Sequence, residues 1–164
     1  MTRPTPNSGT DRVFSSYKKL ETAASHLNEA SDSLAKSISR LDLILKKLGL
    51  GVSSWLEISS FTENDSSYVD RHIGYAKING KWGLAISETA GHRQHGTQRE
   101  EEWLFNDAPR MLRIEAIPKI PDFIDNLTMA AVACLERLIE GKVVADGLAD
   151  ALQLAASEPN SARR

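Results

Sequence analysis

The sequence has few of the features that are typical of disulfide-bonded, secreted or membrane-spanning proteins. Its 164 residues include one cysteine, Cys134, so an intrachain disulfide is excluded. No stretch approaches 18 uninterrupted apolar residues, so no membrane-spanning helix is expected. The opening MTRPTPNSGT has no apolar run of the kind found in secretory signals. These absences predict a buried structural thiol and a cytoplasmic protein.

An excess of one charge sign and the common catalytic motifs are also missing. The net charge is −2, which argues against a globally basic nucleic-acid binder. There is no G-x-S-x-G elbow and no glycine-rich phosphate loop. No catalytic residue and no cofactor are therefore predicted, and the chain is expected to be a binding protein rather than an enzyme.

Proline and glycine are absent from residues 11–48, where an apolar residue recurs at every seventh position from Val13 to Leu48. This spacing predicts one helix with an apolar seam, about 57 Å long. The remainder of the chain would be only about 35 Å across if compact. Part of the seam must then contact another molecule, most simply a second copy. The residues predicted to form that contact are Leu20, Leu27, Leu34, Ile38, Leu41, Leu45 and Leu48.

The positions between these residues leave the mode of pairing open. They are Ala and Ser in the first half of the helix and larger apolar residues between Ile38 and Leu48. A parallel two-stranded coiled coil prefers large residues at both core positions. A helical bundle or an antiparallel pair is at least as compatible with the small residues.

The clearest local signal is Asn79-Gly80 between two strand-like runs, which predicts a two-residue type I′ hairpin turn. The turn sets the register, so Ile73 pairs with Ile86 and Arg71 with Glu88. The opposite face is then bare, because Gly74, Ala76, Gly83 and Ala85 meet there. The favoured explanation is that the long helix docks on this bare face.

The fold class predicted is α+β, with a long N-terminal heptad helix, a four-stranded antiparallel meander and C-terminal helices. Strands are expected at 52–61 and 100–105 beside the hairpin. A helix is expected to start at Asn106 or Asp107, followed by helices at about 121–140 and 143–156, with Gly141 ending the first of these. The predicted organisation is a disordered tail (1–10), an oligomerisation helix (11–48), an α+β domain (49–156) and a frayed tail (157–164).

Three groups of residues could bind a ligand. Arg110 and Arg113 lie one turn apart near a predicted helix start, where an anion is favoured. The residues that could join them are Arg71, His72, Arg93 and Lys119. Salt bridges to Asp107, Glu115 or the acidic strand 100–102 are the favoured alternative for the two arginines.

His92 and His95 have no helical spacing and no thiolate nearby, so a solvated loop is favoured over a metal site. Trp55, Trp82 and Trp103 each fall in a predicted strand, where a core role is favoured over base stacking.

The resulting hypothesis is a non-enzymatic, homo-oligomeric binding or adaptor protein assembled through its heptad helix. The first alternative is a sensor or sequestering protein for an anionic small molecule, such as a nucleotide. The second is a nucleic-acid-associated protein that uses the basic residues of the long helix.

Overall fold

A computed structural model describes residues 8–63, 66–92 and 96–157. The elements are helix α1 (Ser8–Leu48), strands β1 (Ser54–Glu63), β2 (Ser67–Ile78), β3 (Lys81–His92) and β4 (Thr97–Leu104), and helices α2 (Arg110–Ala116) and α3 (Ile120–Ser157). Two short 3-10 turns, Phe105–Asp107 and Ile117–Lys119, flank α2. The predicted α+β class is confirmed.

Helix α1 begins at Ser8, so three residues of the predicted tail are helical. Asp11 then lies in the first turn, where a carboxylate stabilises the positive end of the helix dipole. The helix ends as predicted at Leu48, because Gly49 adopts a positive φ of 59° and its N–H donates to the Lys46 carbonyl at 3.1 Å. Residues 1–7 and 158–164 lie outside the described residues.

The four strands form an antiparallel meander in the order β1-β2-β3-β4. The hairpin register is the predicted one, with Ile73 opposite Ile86 and Arg71 opposite Glu88. Asn79 and Gly80 both have positive φ, 48° and 82°, as a type I′ turn requires. The outer strands are shifted from their predicted bounds, and β1 contains an irregularity between Glu57 and Ser59 that periodicity did not reveal.

All three helices pack on one face of the sheet. The main core joins α1, the strands, α2 and α3 through the buried residues Ile38, Leu45, Ile73, Tyr75, Leu84, Ile86, Phe105, Leu112, Phe123 and Leu127. The opposite face, called here the open face, has a small cluster of Ala76, Ile78 and Ala85 packed against Trp55 and Leu104. Within the described residues, that second cluster contains strand residues only.

The prediction that α1 docks on the bare face is wrong at Gly74. The neighbour there is the indole of Trp55, and a Cβ added to Gly74 would lie 2.2 Å from Trp55 Cε3. At Gly83, near the edge of the sheet, α1 does approach through the Asp42 carboxylate, 3.0 Å from such a Cβ. The small residues therefore leave room for an aromatic ring from the adjacent strand, and α1 approaches this face only at Gly83.

The predicted break at Gly141 is also wrong, because α3 is continuous from Ile120 to Ser157. Gly141 is not among the glycines with positive φ, so it does not adopt a helix-ending conformation. A glycine inside a helix costs only about 1 kcal/mol, which the surrounding Leu, Ala and Glu residues of α3 offset. Downstream of the predicted start at Asn106 or Asp107, Pro109 occupies the N-cap of a short α2, so the regular helix begins at Arg110.

Candidate functional site

The first half of α1 makes no buried contact with the rest of the described chain. Every residue from 9 to 30 is exposed, a length of about 33 Å. The apolar seam nevertheless runs through it, since Val13, Tyr17, Leu20 and Leu27 are 69%, 59%, 65% and 49% exposed. Steps of three and four residues place them on the same helix face as the buried Ile38 and Leu45. We call residues 9–30 the bare half of α1.

Helix α3 shows the same division. Its first turns bury Phe123 and Leu127 in the core, whereas every residue from 135 to 157 is exposed. We call residues 135–157 the bare half of α3. It keeps a broad apolar surface formed by Leu135, Leu138, Ile139, Val143, Val144, Leu148, Leu152 and Leu154.

An apolar groove of about 320 Å³ lies where the two helices meet. It is lined by Leu45, Leu48, Leu50, Ile124, Leu127, Thr128, Ala131, Val132 and Leu135. Val132 and Leu135 belong to α3 and connect the groove to the bare half of that helix. The groove and that helix therefore form one continuous apolar surface.

Both bare halves leave large apolar side chains on the surface along their whole length. Exposed apolar surface of this extent usually marks an interaction site.

The residues predicted for oligomerisation fall into two groups. Ile38 and Leu45 are 3% and 8% exposed and belong to the core of their own chain, with Leu34 packed against them. They are unavailable to a partner while the protomer is folded. Leu20, Leu27, Leu41 and Leu48 remain on the surface.

Arg71, predicted to join an anion site, is already surrounded by carboxylates. Its Nε donates to Glu88 Oε2 at 2.8 Å, and its Nη1 donates to Glu115 Oε2 at 2.9 Å. Its guanidinium also lies 5.7 Å from the centre of the Phe61 ring. The hydrogen bond to Glu88 is the main cause that raises the pKa of Arg71 above its ordinary value. This network ties β2 to β3 and α2.

Arg110 and Arg113 form hydrogen bonds with α1. Neither the predicted anion site nor the predicted salt bridges involved residues of that helix. Arg110 Nη2 donates to Asn28 Oδ1 at 3.1 Å, and Arg113 Nη2 donates to Ser31 Oγ at 3.3 Å. These bonds hold α1 at residues 28–31, where its bare half ends. Asn106 adds a bond from its side-chain nitrogen to the Ala35 carbonyl at 3.1 Å.

Of the remaining anion candidates, His72 does not join these arginines. His72 follows Arg71 in β2 and therefore projects from the opposite, open face. Arg93 lies outside the described residues, as does His95. No three His, Cys, Asp or Glu side chains of the described residues are placed to hold a metal ion.

The tryptophans divide between the two faces of the sheet. Trp82 and Trp103 pack against the main core, and Trp82 stacks on Tyr75 with ring centres 5.5 Å apart. Trp55 lies on the open face over Gly74. There it borders a cleft of about 240 Å³ with His72, Ser87, Thr89, Glu100 and Glu102. Sequence reasoning missed this cleft because its residues come from four strands.

In the part of the chain that the structure describes, no helix is long and apolar enough to cross a membrane. Comparison of the chain with models of protein families, with curated proteins and with solved structures finds no match.

Proposed function

We propose that this chain is a non-enzymatic, homo-oligomeric binding or adaptor protein of the cytoplasm, assembled through the bare half of α1. The observation that carries the proposal is a single apolar seam, buried against the chain's own sheet at Ile38 and Leu45 and uncovered at Leu20 and Leu27. An apolar heptad that continues beyond the core of its own chain is available to pack against another helix.

A second copy as the partner doubles the apolar surface that the seam can bury. Complete burial of one large apolar side chain contributes about 1.5–3 kcal/mol. Val13, Tyr17, Leu20 and Leu27 are 49–69% exposed in the protomer, so burying the exposed part contributes about 4–7 kcal/mol per chain. Two chains gain about 7–15 kcal/mol, which is the size needed to offset an association cost of about 4–15 kcal/mol. The bare half of α3 offers further surface to the same assembly.

The adaptor role follows from what the assembly leaves free. The helices lie on one face of each sheet, and the open face remains accessible. An oligomer presents several copies of that face on one particle, and repeated surfaces raise the avidity for a multivalent partner.

The test is the mass of the particle in solution. The purified wild-type chain is expected to show a multiple of 18.1 kDa by light scattering at micromolar concentration. Replacing Leu20 and Leu27 by Asp is expected to give monomers with an unchanged helical circular dichroism signal, since both side chains are exposed in the protomer.

The matched control is the double change Ser15→Asp and Thr22→Asp. It adds the same charge at the same seven-residue spacing, on exposed positions of the opposite helix face. This control should remain oligomeric. A monomeric wild type, or a control that dissociates equally, contradicts the proposal.

A further inference from the structure

The bare half of α1 leaves the sheet at the end remote from the β2–β3 hairpin turn. Asp42 accepts a hydrogen bond from the N–H of Leu84, close to that turn, at 2.9 Å. Further back along α1, Ser31 contacts α2, which the Arg71 network ties to the middle of β2 and β3. Helix α1 therefore runs toward the hairpin turn, and its bare half lies beyond the other end of the sheet.

The bare half of α3 leaves the sheet at the hairpin end. Asn126 donates hydrogen bonds to Ser54 Oγ at 2.8 Å and to the Trp55 carbonyl at 3.2 Å. Ser54 pairs with Tyr75, close to the hairpin turn. The chain thus passes from α2, over the middle of the sheet, to α3 at the hairpin end. Helices α1 and α3 run in the same general direction, and their bare halves extend from opposite ends of the protomer.

The two bare halves have matching lengths and related apolar seams. Residues 9–30 span about 33 Å and residues 135–157 about 35 Å. Each seam continues, in steps of three and four residues, from side chains buried in the core of the chain. In the bare half of α1 the seam consists of Val13, Tyr17, Leu20, Ala24 and Leu27. In the bare half of α3 it consists of Leu138, Gly141, Ala145, Leu148, Leu152 and Ala155.

A two-fold axis perpendicular to the helices brings the two seams together. It reverses the second copy, so the bare half of the second copy's α3 lies antiparallel beside the bare half of α1 in the first. The same operation joins the other two bare halves at the far end of the pair. The inner ends, residues 30 and 135, then lie side by side. Equal rise along both helices places Leu20 opposite Ala145, so a large side chain faces a small one.

The buried area favours this exchange over contact between α1 helices alone. A helix about 33 Å long and about 10 Å wide covers about 330 Å² of its neighbour. Two helices in each of two contacts therefore bury about 1,300 Å², which reaches the about 1,200 Å² of a stable interface. An antiparallel pair of α1 bare halves buries about half of that area and leaves both bare halves of α3 uncovered.

The charges favour the exchange over a parallel pairing of like helices. The outer part of α1, residues 9–19, contains three basic residues and one acidic residue. The outer part of α3, residues 143–157, contains two acidic residues and no basic residue. The antiparallel exchange places these oppositely charged segments side by side. A parallel pairing of like helices brings segments of the same net charge together, which is unfavourable.

We infer that the bare half of α3 binds the bare half of α1 from a second copy of this chain, forming a closed dimer with two identical contacts. The inference rests on the proposed assembly through α1 and names the surface that this helix binds. Each protomer supplies one α1 seam and one α3 seam, so the dimer leaves neither seam uncovered and has no open end for a third copy.

The first test is the mass of α3 variants by light scattering. The wild type should contain two chains. Replacing Leu148 and Leu152 by Asp should give monomers, because the seam would bury unpaired charges. Their helical circular dichroism signal should be unchanged, since both side chains are exposed in the protomer. The matched control replaces Val143 and Leu154 by Asp. These residues are equally exposed and lie on the opposite face of the same helix, so the control should remain dimeric.

The second test is cross-linking with a short bifunctional maleimide in a Cys134→Ser background, which has no other thiol. A chain carrying both Leu20→Cys and Ala145→Cys should give a covalent dimer. Either change alone should give none, because the exchange places the two copies of each residue at opposite ends of the dimer. A covalent dimer of the Leu20→Cys chain would show that α1 pairs with α1, and one of the Ala145→Cys chain would show that α3 pairs with α3.

The outcomes separate this inference from the proposed function. If the Leu148 and Leu152 variant stays dimeric while the Leu20 and Leu27 variant dissociates, assembly through α1 stands and the exchange is overturned. A covalent dimer from either single cysteine chain, or a wild-type particle of more than two chains, also overturns the exchange alone. The same holds if the Val143 and Leu154 control dissociates as completely as the seam variant. A monomeric wild type overturns both.

Discussion

Replacing Gly74 by Ala isolates one packing contact that the structure makes explicit. The new Cβ would lie 2.2 Å from Trp55 Cε3 and 2.5 Å from Cδ2, whereas carbon atoms pack at about 3.5–4.0 Å. The indole must therefore move by at least about 1.3 Å. The φ of Gly74 is not positive, so the backbone itself accepts alanine. The clash with the indole therefore decides the sign of the change in stability.

The expected loss is the difference between two effects. Overpacking of this kind costs about 1–3 kcal/mol, and the lower entropy of an unfolded chain with alanine offsets about 0.4–1 kcal/mol of it. A net loss of about 1–2 kcal/mol corresponds to a melting temperature lower by roughly 2–8 °C in a chain of this size. Urea unfolding followed by circular dichroism at 222 nm measures the loss without relying on tryptophan emission.

A double-mutant cycle decides whether Trp55 is the cause. In a Trp55→Ala background the ring is absent, and Gly74→Ala should be neutral or stabilising. Gly80→Ala is the control, because Gly80 has a φ of 82° and open space around it. Its loss comes from backbone strain and should be the same in both backgrounds. The reasoning is refuted if Gly74→Ala is fully destabilising without the ring, or if it stabilises the wild type.

Two further substitutions test local contacts. Asp42 Oδ1 accepts a hydrogen bond from the Leu84 N–H at 2.9 Å, so Asp42→Ala should lower the free energy of unfolding by about 1–3 kcal/mol, and Asp42→Asn by less. Equal losses in urea titrations of the two variants would show that this bond is not what Asp42 contributes. Gly141→Ala should raise the stability by about 0.5–1 kcal/mol, because Gly141 lies inside the continuous α3 and an added Cβ would have open space around it. A lower melting temperature would instead indicate a helix break at this residue.

The hairpin was predictable because its determinants are local. Asn79 and Gly80 select one turn type, and a two-residue turn leaves only one register for the strands on either side. The role of Gly74 was not predictable in the same way. Its neighbour Trp55 belongs to β1. The pairing of β1 with β2 includes an irregularity between Glu57 and Ser59, which the alternation of apolar and polar residues does not predict.

The arginines of α2 show a second limit of sequence reasoning. Arg110 and Arg113 are one turn apart, and that spacing was visible. Their partners Asn28 and Ser31 are each 82 residues distant and neutral, so charge complementarity along the sequence pointed to other residues. The cleft of the open face is similar, because its residues become neighbours only when all four strands are in register.

The heptad of α1 predicts an apolar seam along the whole helix. The size of the sheet determines how much of that seam the chain's own core can cover. The longest strands, β2 and β3, have 12 residues each and span about 40 Å. Four strands at about 4.8 Å spacing add a width of roughly 14 Å, so the sheet diagonal is about 42 Å. Helix α1 has 41 residues and is about 61 Å long. In any orientation on the sheet, at least about 19 Å of the helix extends beyond it, which is about three and a half turns of seam. Because Leu20 and Leu27 lie in the exposed part, a partner that covers them must come from outside the chain's own sheet.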